Sequence, residues 1–463
     1  MPGPAGGETA LSLLPEVMPA RRRECAGCAG RKAGAAGRDP LQSAGNCLMA
    51  SRTSPRSAVP DKNLICIVVD RLHAGMVGAY GNSWIRTGAI DHLASESFLF
   101  DSALLESPRL DHLYQAYWMA QHAATAGETQ GTSFPQVVAA AGYRTALVTD
   151  EPVVAELPAA GQFAETLLVA TADEPQTAED VLETELARLF AAAAEWLEAA
   201  QAPFCLWIHA RGMAGPWDAP LALRNAYADE DDPVPPALVE APNDRLPEDH
   251  DPDEVLGIRH AYAGQVAALD QCVEGLCDQL EASGQAKGTL LTLLSGRGFP
   301  LGEHGRIGPC DEPLFNELTQ LVWMMRFPDG CGALARSPAL VQPSDLPGTL
   351  LDGLELDRTR LGAGHASSLL EVIGGKKPAL RDRVLLLSGN ERAVRTPGWY
   401  LRLPADGQAE LYAKPSDRWE VSEVASLADD VVAGLQDAVR ELETRGSADG
   451  LPALPALLVS EPD

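Results

Sequence analysis

Three observations predict an α/β fold built on a large, mostly parallel sheet flanked by helices. Apolar runs of strand length recur at residues 64–69, 203–209 and 288–294, and runs of that kind form strands covered on both faces. Between them lie stretches with helical spacing, most clearly 177–200 and 255–280. Toward the C-terminus the pattern changes to short alternating segments, as in antiparallel strands. They predict a small α+β subdomain after the main sheet.

The first run (LICIVV) is rich in β-branched residues and ends at Asp70. Open α/β sheets bind ligands beyond the carboxyl ends of their strands, so Asp70 is either a ligand-binding group or the cap of a turn. Residues 133–150 read as a helix, the turn Gly142-Tyr143-Arg144-Thr145, and a strand over 146–149. Thr177 with Asp180 predicts a helix start before 200. The second buried strand, PFCLWIH, ends on His209. A histidine there is more often structural than catalytic. Residues 229–254 are rich in Pro and Asp without periodicity and predict a long exposed loop. Its acids lack the order of a calcium loop and read as a solvated charge run. Ile258, Tyr262, Val266, Leu269, Val273, Leu276 and Leu280 then mark one face of an amphipathic helix. A strand is expected over 321–326, and a closing helix near 428–444.

Length and charge narrow the function. A chain of 463 residues suits one large domain plus a small one. A formal charge of −29 argues against nucleic acid or an anionic membrane as partner. No apolar run approaches the roughly 18 residues of a membrane span, and no signal peptide is recognised. Nine cysteines, mostly unclustered, suit reduced thiols in a cytoplasmic protein. The lone Cys25-x-x-Cys28 carries little weight as a metal site. Residues 1–60 are rich in Gly, Ala, Pro and Arg and are expected to be disordered, with Met49 an alternative start. The expected organisation is that extension, a main α/β domain over 61–370, the subdomain over 371–445 and a flexible tail over 446–463.

Several motifs in fixed order give the chain a family resemblance. They are the strand ending in Asp70, Gly78-Ala79-Tyr80-Gly81-Asn82, the run from Arg86 to Ala94, Phe98-Leu99-Phe100-Asp101 and Ser107-Pro108. Further on come Gly142-Tyr143-Arg144-Thr145 and Leu301-Gly302-Glu303-His304-Gly305. Together they resemble the sulfatases of the alkaline-phosphatase superfamily over roughly residues 61–443, which implies that superfamily's sandwich fold and the hydrolysis of sulfuric or phosphoric esters. The resemblance also implies a calcium ion, a Cys- or Ser-derived nucleophile, a Lys-x-His pair and a loop histidine.

Most of those groups are replaced. The second of the paired acids after the first strand is Arg71, and the nucleophile position is Leu110. The Lys-x-His segment reads Thr149-Asp150-Glu151-Pro152, the loop histidine is Ala214, and the tetrad that completes the calcium site reads Ser295-Gly296-Arg297-Gly298. The lysine after "LGEHG" has Arg306 as its nearest counterpart. Asp70 is the single retained metal-ligand position, too few for a cation that takes six or more oxygens. No cofactor is therefore expected. Asp111, His112 and His209 are the remaining catalytic candidates, with Asp111 at an expected helix start. Asp70, Arg71, Arg297, Glu303, His304 and Arg306 are the expected pocket, with a guanidinium paired to Asp70 in place of the metal. The expected function is a catalytically impaired sulfatase-like protein that binds a small anion or an active paralogue. The alternatives are an ester hydrolase with rearranged residues and a structural interaction protein.

Overall fold

A computed structural model describes residues 62–461, apart from 126, 128–130 and 363–365. The N-terminal extension, Met49 as a start, and Cys25 with Cys28 lie outside the described residues. The strands in chain order are β1 (Asn63–Val69), β2 (Phe98–Ala103), β3 (Arg144–Thr149), β4 (Glu165–Leu168), β5 (Phe204–Ala210), β6 (Asp244–Arg245), β7 (Thr289–Ser295), β8 (Arg306–Ile307), β9 (Trp323–Arg326), β10 (Arg336–Val341), β11 (Val384–Ser388), β12 (Glu391–Arg395), β13 (Trp399–Leu403) and β14 (Glu410–Ala413).

Eight strands form the main sheet in the order β10-β2-β9-β7-β1-β5-β3-β4. β1 lies at its centre, parallel to β5 and β7, and every β1 residue is buried. This is what its continuous apolar run requires, since helices cover both faces. One face packs residues such as Leu64, Cys66 and Val68 against the helix Leu110–Met119. The other packs Ile65, Ile67 and Val69 against the helices Glu185–Ala199 and Pro252–Ala282. β9 runs antiparallel to both of its neighbours. The C-terminal sheet β11-β12-β13-β14 is antiparallel throughout and packs against the helix Asp429–Arg445.

Several boundaries differ from the sequence reading. The helix expected to open near Thr177 begins at Glu185, because Thr184 accepts a hydrogen bond from the Ala187 amide while Asp180 caps a short 3-10 turn instead. The long helix begins at Pro252 with Asp251 as its cap, which shortens the acidic loop. That loop is also pinned from inside. The buried Arg224 guanidinium donates to the carbonyls of Trp217, Ala219, Pro236 and Leu238, and β6 pairs with β8. The expected tail is not free. Trp399 donates to the Leu457 carbonyl at 2.9 Å, Leu458 is buried, and Arg381 bonds both Asp345 and Asp449. Cys66, Cys205, Cys272, Cys277 and Cys310 are free thiols. No described helix is long and apolar enough to cross a membrane.

Replacing Arg224 with Met should free the loop it holds. Four carbonyls, two of them buried, lose a charged donor, at a cost of about 2–4 kcal/mol. Hydrogen exchange across residues 234–240 should accelerate while exchange in β1 and β5 stays protected. Unchanged exchange in that segment would show that β6 and the loop's own packing suffice.

Candidate functional site

The parallel register brings four strand ends into one line. Val69 lies beside Ala210 on one side and Ser295 on the other, and Thr149 lies beside His209. Asp70, Asp150, Arg211 and Arg297 therefore emerge at the same edge, although 227 residues separate the first from the last. Asp70 is almost fully buried. Its amide donates to the Ala210 carbonyl at 2.9 Å, and its carbonyl accepts from the Met213 amide at 3.0 Å, so the backbone is held from both sides.

Arg297 takes both Asp70 oxygens. Its Nε donates to Oδ1 at 2.9 Å, its Nη2 donates to Oδ2, and its Nη1 donates to the Pro108 carbonyl at 2.9 Å. Burial alone would push the Asp70 carboxyl up, but the charge and hydrogen bonds of Arg297 outweigh it and hold the group below the usual carboxylate range. Gly296 permits this approach. A β-carbon there would stand 3.0 Å from Asp70 Oδ1 and 3.4 Å from a Leu113 methyl.

Arg71 does not share that carboxylate as the sequence allowed. It donates through Nη2 to Asp311 Oδ1 at 2.8 Å, and through Nη1 to the Cys310 carbonyl. Its backbone has φ of 60°, a conformation uncommon for residues other than glycine. Tyr262 secures it by donating to the Arg71 carbonyl at 2.7 Å and accepting from the His73 amide at 2.8 Å. Asp311 lies 3.8 Å from Arg297 as well and links the two guanidinium groups.

The other candidates separate into distinct neighbourhoods. Leu110 opens the helix, and Arg109 rather than Asp111 occupies the cap. Asp111 sits in the first turn, paired to Arg109 at 2.6 Å, and that bond holds its carboxyl low. His112 has Nδ1 3.1 Å from Ser107 Oγ, and burial lowers its pKa. His209 is wholly buried with Nδ1 2.6 Å from the Tyr114 hydroxyl, and burial pulls it down to about 4, so it is neutral at neutral pH. Glu303, His304 and Arg306 have partners away from Asp70. Glu303 accepts from the Leu301 amide at 2.5 Å, His304 stands against Glu317, and Arg306 donates to Asn243 at 2.6 Å.

Four contributors were not picked out from the sequence. Asp311 and the Cys310 carbonyl lie in a loop without periodicity, so no signal marked them. Tyr114 lies four residues after the altered nucleophile position, Leu110. Asp150 is buried beside the Arg211 amide at 2.8 Å, and burial pushes its carboxyl up to about 7. Among the described residues, no group of three or more His, Cys, Asp or Glu side chains is placed to hold a metal ion.

A mostly parallel sheet with charged groups at its central strand ends thus lies beside a smaller antiparallel sheet. The family model described as Sulfatase matches residues 62–356, and the chain belongs to that family. The fold is similar to a phosphonate monoester hydrolase of Agrobacterium radiobacter, with TM-score 0.69 and 15% identity over 83% of this chain and 96% of that one. It is similar to phosphonate monoester hydrolase SpPMH from Silicibacter pomeroyi, with TM-score 0.66 and 17% identity over 83% and 96%. A third structure, solved with its substrate D-glucosamine-2-N,6-O-disulfate, gives TM-score 0.66 and 16% identity over 83% and 98%. No curated protein matches the chain.

Removing the Arg297 guanidinium by substitution with Met should leave a buried carboxylate unpaired, at a cost of about 3–5 kcal/mol near neutral pH. Because the Asp70 pKa is depressed in the folded protein, its stabilising contribution is present above its ordinary value of 3.8 and is lost as pH falls through the folded pKa. The Tm gap between wild type and variant should therefore narrow on acidification. A gap that is constant with pH would assign the loss to packing alone.

Proposed function

We propose that this sulfatase-family protein does not hydrolyse esters and acts by binding, as a regulatory partner of another protein. The observation that carries the reading is the Arg297 guanidinium seated on both oxygens of Asp70. Ester hydrolysis of the family's kind needs a nucleophile, a cation for the non-bridging oxygens and an acid for the leaving group. At the corresponding places stand Leu110, a guanidinium already committed to Asp70 and Pro108, and Ala214. Calcium does not fit this donor set. It takes six to eight oxygens, and the retained aspartate has both oxygens engaged while two arginines stand beside it.

The same geometry argues for a protein rather than a small anion as the ligand. Bidentate anion recognition uses a free guanidinium fork. Here Arg71 and Arg297 have both η-nitrogens engaged by backbone carbonyls and carboxylates. We infer that this partner is an active relative of the same family.

One observation supports hydrolysis by rearranged residues. Asp150, pushed up to about 7, can hold or release a proton near neutrality at the same sheet edge as His209. The two readings separate on one preparation. Purified protein equilibrated with calcium should retain near-zero metal by elemental analysis and cleave aryl sulfate and aryl phosphate no faster than buffer. One calcium per chain with turnover would overturn the proposal, and turnover abolished by Asp150→Asn would establish the second reading.

A further inference from the structure

The "LGEHG" turn carries a histidine whose surroundings the proposed binding role does not use. Both ring nitrogens of His304 face acceptors. Nδ1 is 2.8 Å from Glu317 Oε1, and Nε2 is 3.2 Å from the Glu420 backbone carbonyl. A neutral imidazole has one N–H and can satisfy one of these; only the imidazolium satisfies both. The backbone commits the residue to this position, because His304 sits at φ 47° between Gly302 and Gly305, both also at positive φ.

The ring is also stacked. His304 lies parallel to Phe315 with centroids 3.5 Å apart, and the Arg402 guanidinium stands 3.6 Å from the same Phe315 centroid. Two groups that close must occupy opposite faces, so Phe315 lies between them. Arg402 belongs to β13 and is fixed by Glu391 at 2.6 Å and by Glu410. The neighbours of Phe315 are gripped from the same side. Leu314 donates to Glu391 at 3.1 Å and accepts from the Tyr400 hydroxyl, and the Asn316 amide donates to Glu420 Oε2 at 2.8 Å. Beyond them, the Leu318 carbonyl accepts from the Gly298 amide at 2.9 Å, one residue from Arg297. A β-carbon at 298 would come within 2.0 Å of the Glu317 carbonyl, so this contact leaves no slack.

We propose that protonated His304 is a pH-dependent clasp that holds the C-terminal sheet onto segment 314–318, and through it onto the Arg297 turn. The charged groups around it favour the proton on balance. Glu317 and the Glu420 loop face it directly, and Glu303 precedes it in its own turn. Lys414 neutralises the Glu420 carboxylate at 2.9 Å, and Arg402 is a like charge screened by Phe315. His73, packed after β1, interacts with Glu303, Glu317 and Arg418, and burial keeps it from competing for a proton. Burial would lower the His304 pKa, but the hydrogen bond and charge of Glu317, with the Glu420 carbonyl, raise it above 6.5. A raised folded-state value stabilises fully below 6.5, and that contribution is lost as pH climbs through the folded pKa.

Histidine C2-hydrogen exchange read by mass spectrometry on the full chain gives the His304 titration directly. The expected midpoint lies above 6.5 and falls in Glu317→Gln. In parallel, wild-type Tm should drop as pH climbs above 6.5 through the folded-state pKa, with hydrogen exchange in 314–318 accelerating over the same range. His304→Gln should lose that part of the slope while Asp150 titrates equally in both proteins. A wild-type midpoint at or below 6.5, or a His304→Gln profile parallel to wild type, would overturn the clasp. The midpoint needs no variant, so a variant that fails to fold leaves the test intact.

Discussion

A carboxylate buried at the end of the central strand needs a cation, and the rest of the site answers that requirement. Asp70 cannot leave its place, because its amide and carbonyl complete the parallel ladder and the turn after β5. It cannot stay charged alone either, since an uncompensated buried carboxylate is among the most costly defects a core can hold. The chain supplies the cation from Arg297, at the end of a strand hydrogen-bonded to β1. Gly296 leaves room for it, and the Pro108 carbonyl takes its remaining fork.

A guanidinium and a divalent ion do different things in that place. The guanidinium is planar, carries one charge and directs its donors along fixed lines. Its Nε and both η-nitrogens are turned to Asp70 and Pro108 rather than to an incoming ester oxygen. A metal ion keeps open positions and shares its charge among all its ligands. On the proposed reading, the exchange keeps what the sheet needs from a cation and gives up what catalysis needs from one. Arg71 points the same way. Its positive φ is held by Tyr262, and its side chain ties down the 310–311 loop.

The fold was legible because parallel-sheet strands leave continuous apolar runs, and β1, β5 and β7 fall where those runs predicted them. The sequence recorded β9 as a strand but not its antiparallel direction, which depends on neighbours far along the chain. The site was legible where a motif fixed the position, as at Asp70, Arg71 and Arg297. It was illegible where a partner came from patternless backbone, as with Asp311, 240 residues from Arg71. Glu303, His304 and Arg306 stood out as a motif, yet their partners could not be read. The turn's positive φ values send His304 toward Phe315 and the C-terminal sheet rather than toward Asp70.

That redirection ties the small sheet to the "LGEHG" turn. Residues 314–318 have backbone and side-chain ties to β12, β13 and the Glu420 loop on one side and to the Gly298 turn on the other. Few contacts therefore separate the C-terminal sheet from Arg297. Contacts of this precision behind an active centre would hold catalytic groups in register. Behind an ion pair, the proposed binding role would use them to hold a surface in one shape for another protein. On the proposed reading, the family's rigid scaffold outlives its chemistry because the scaffold itself is what the partner recognises.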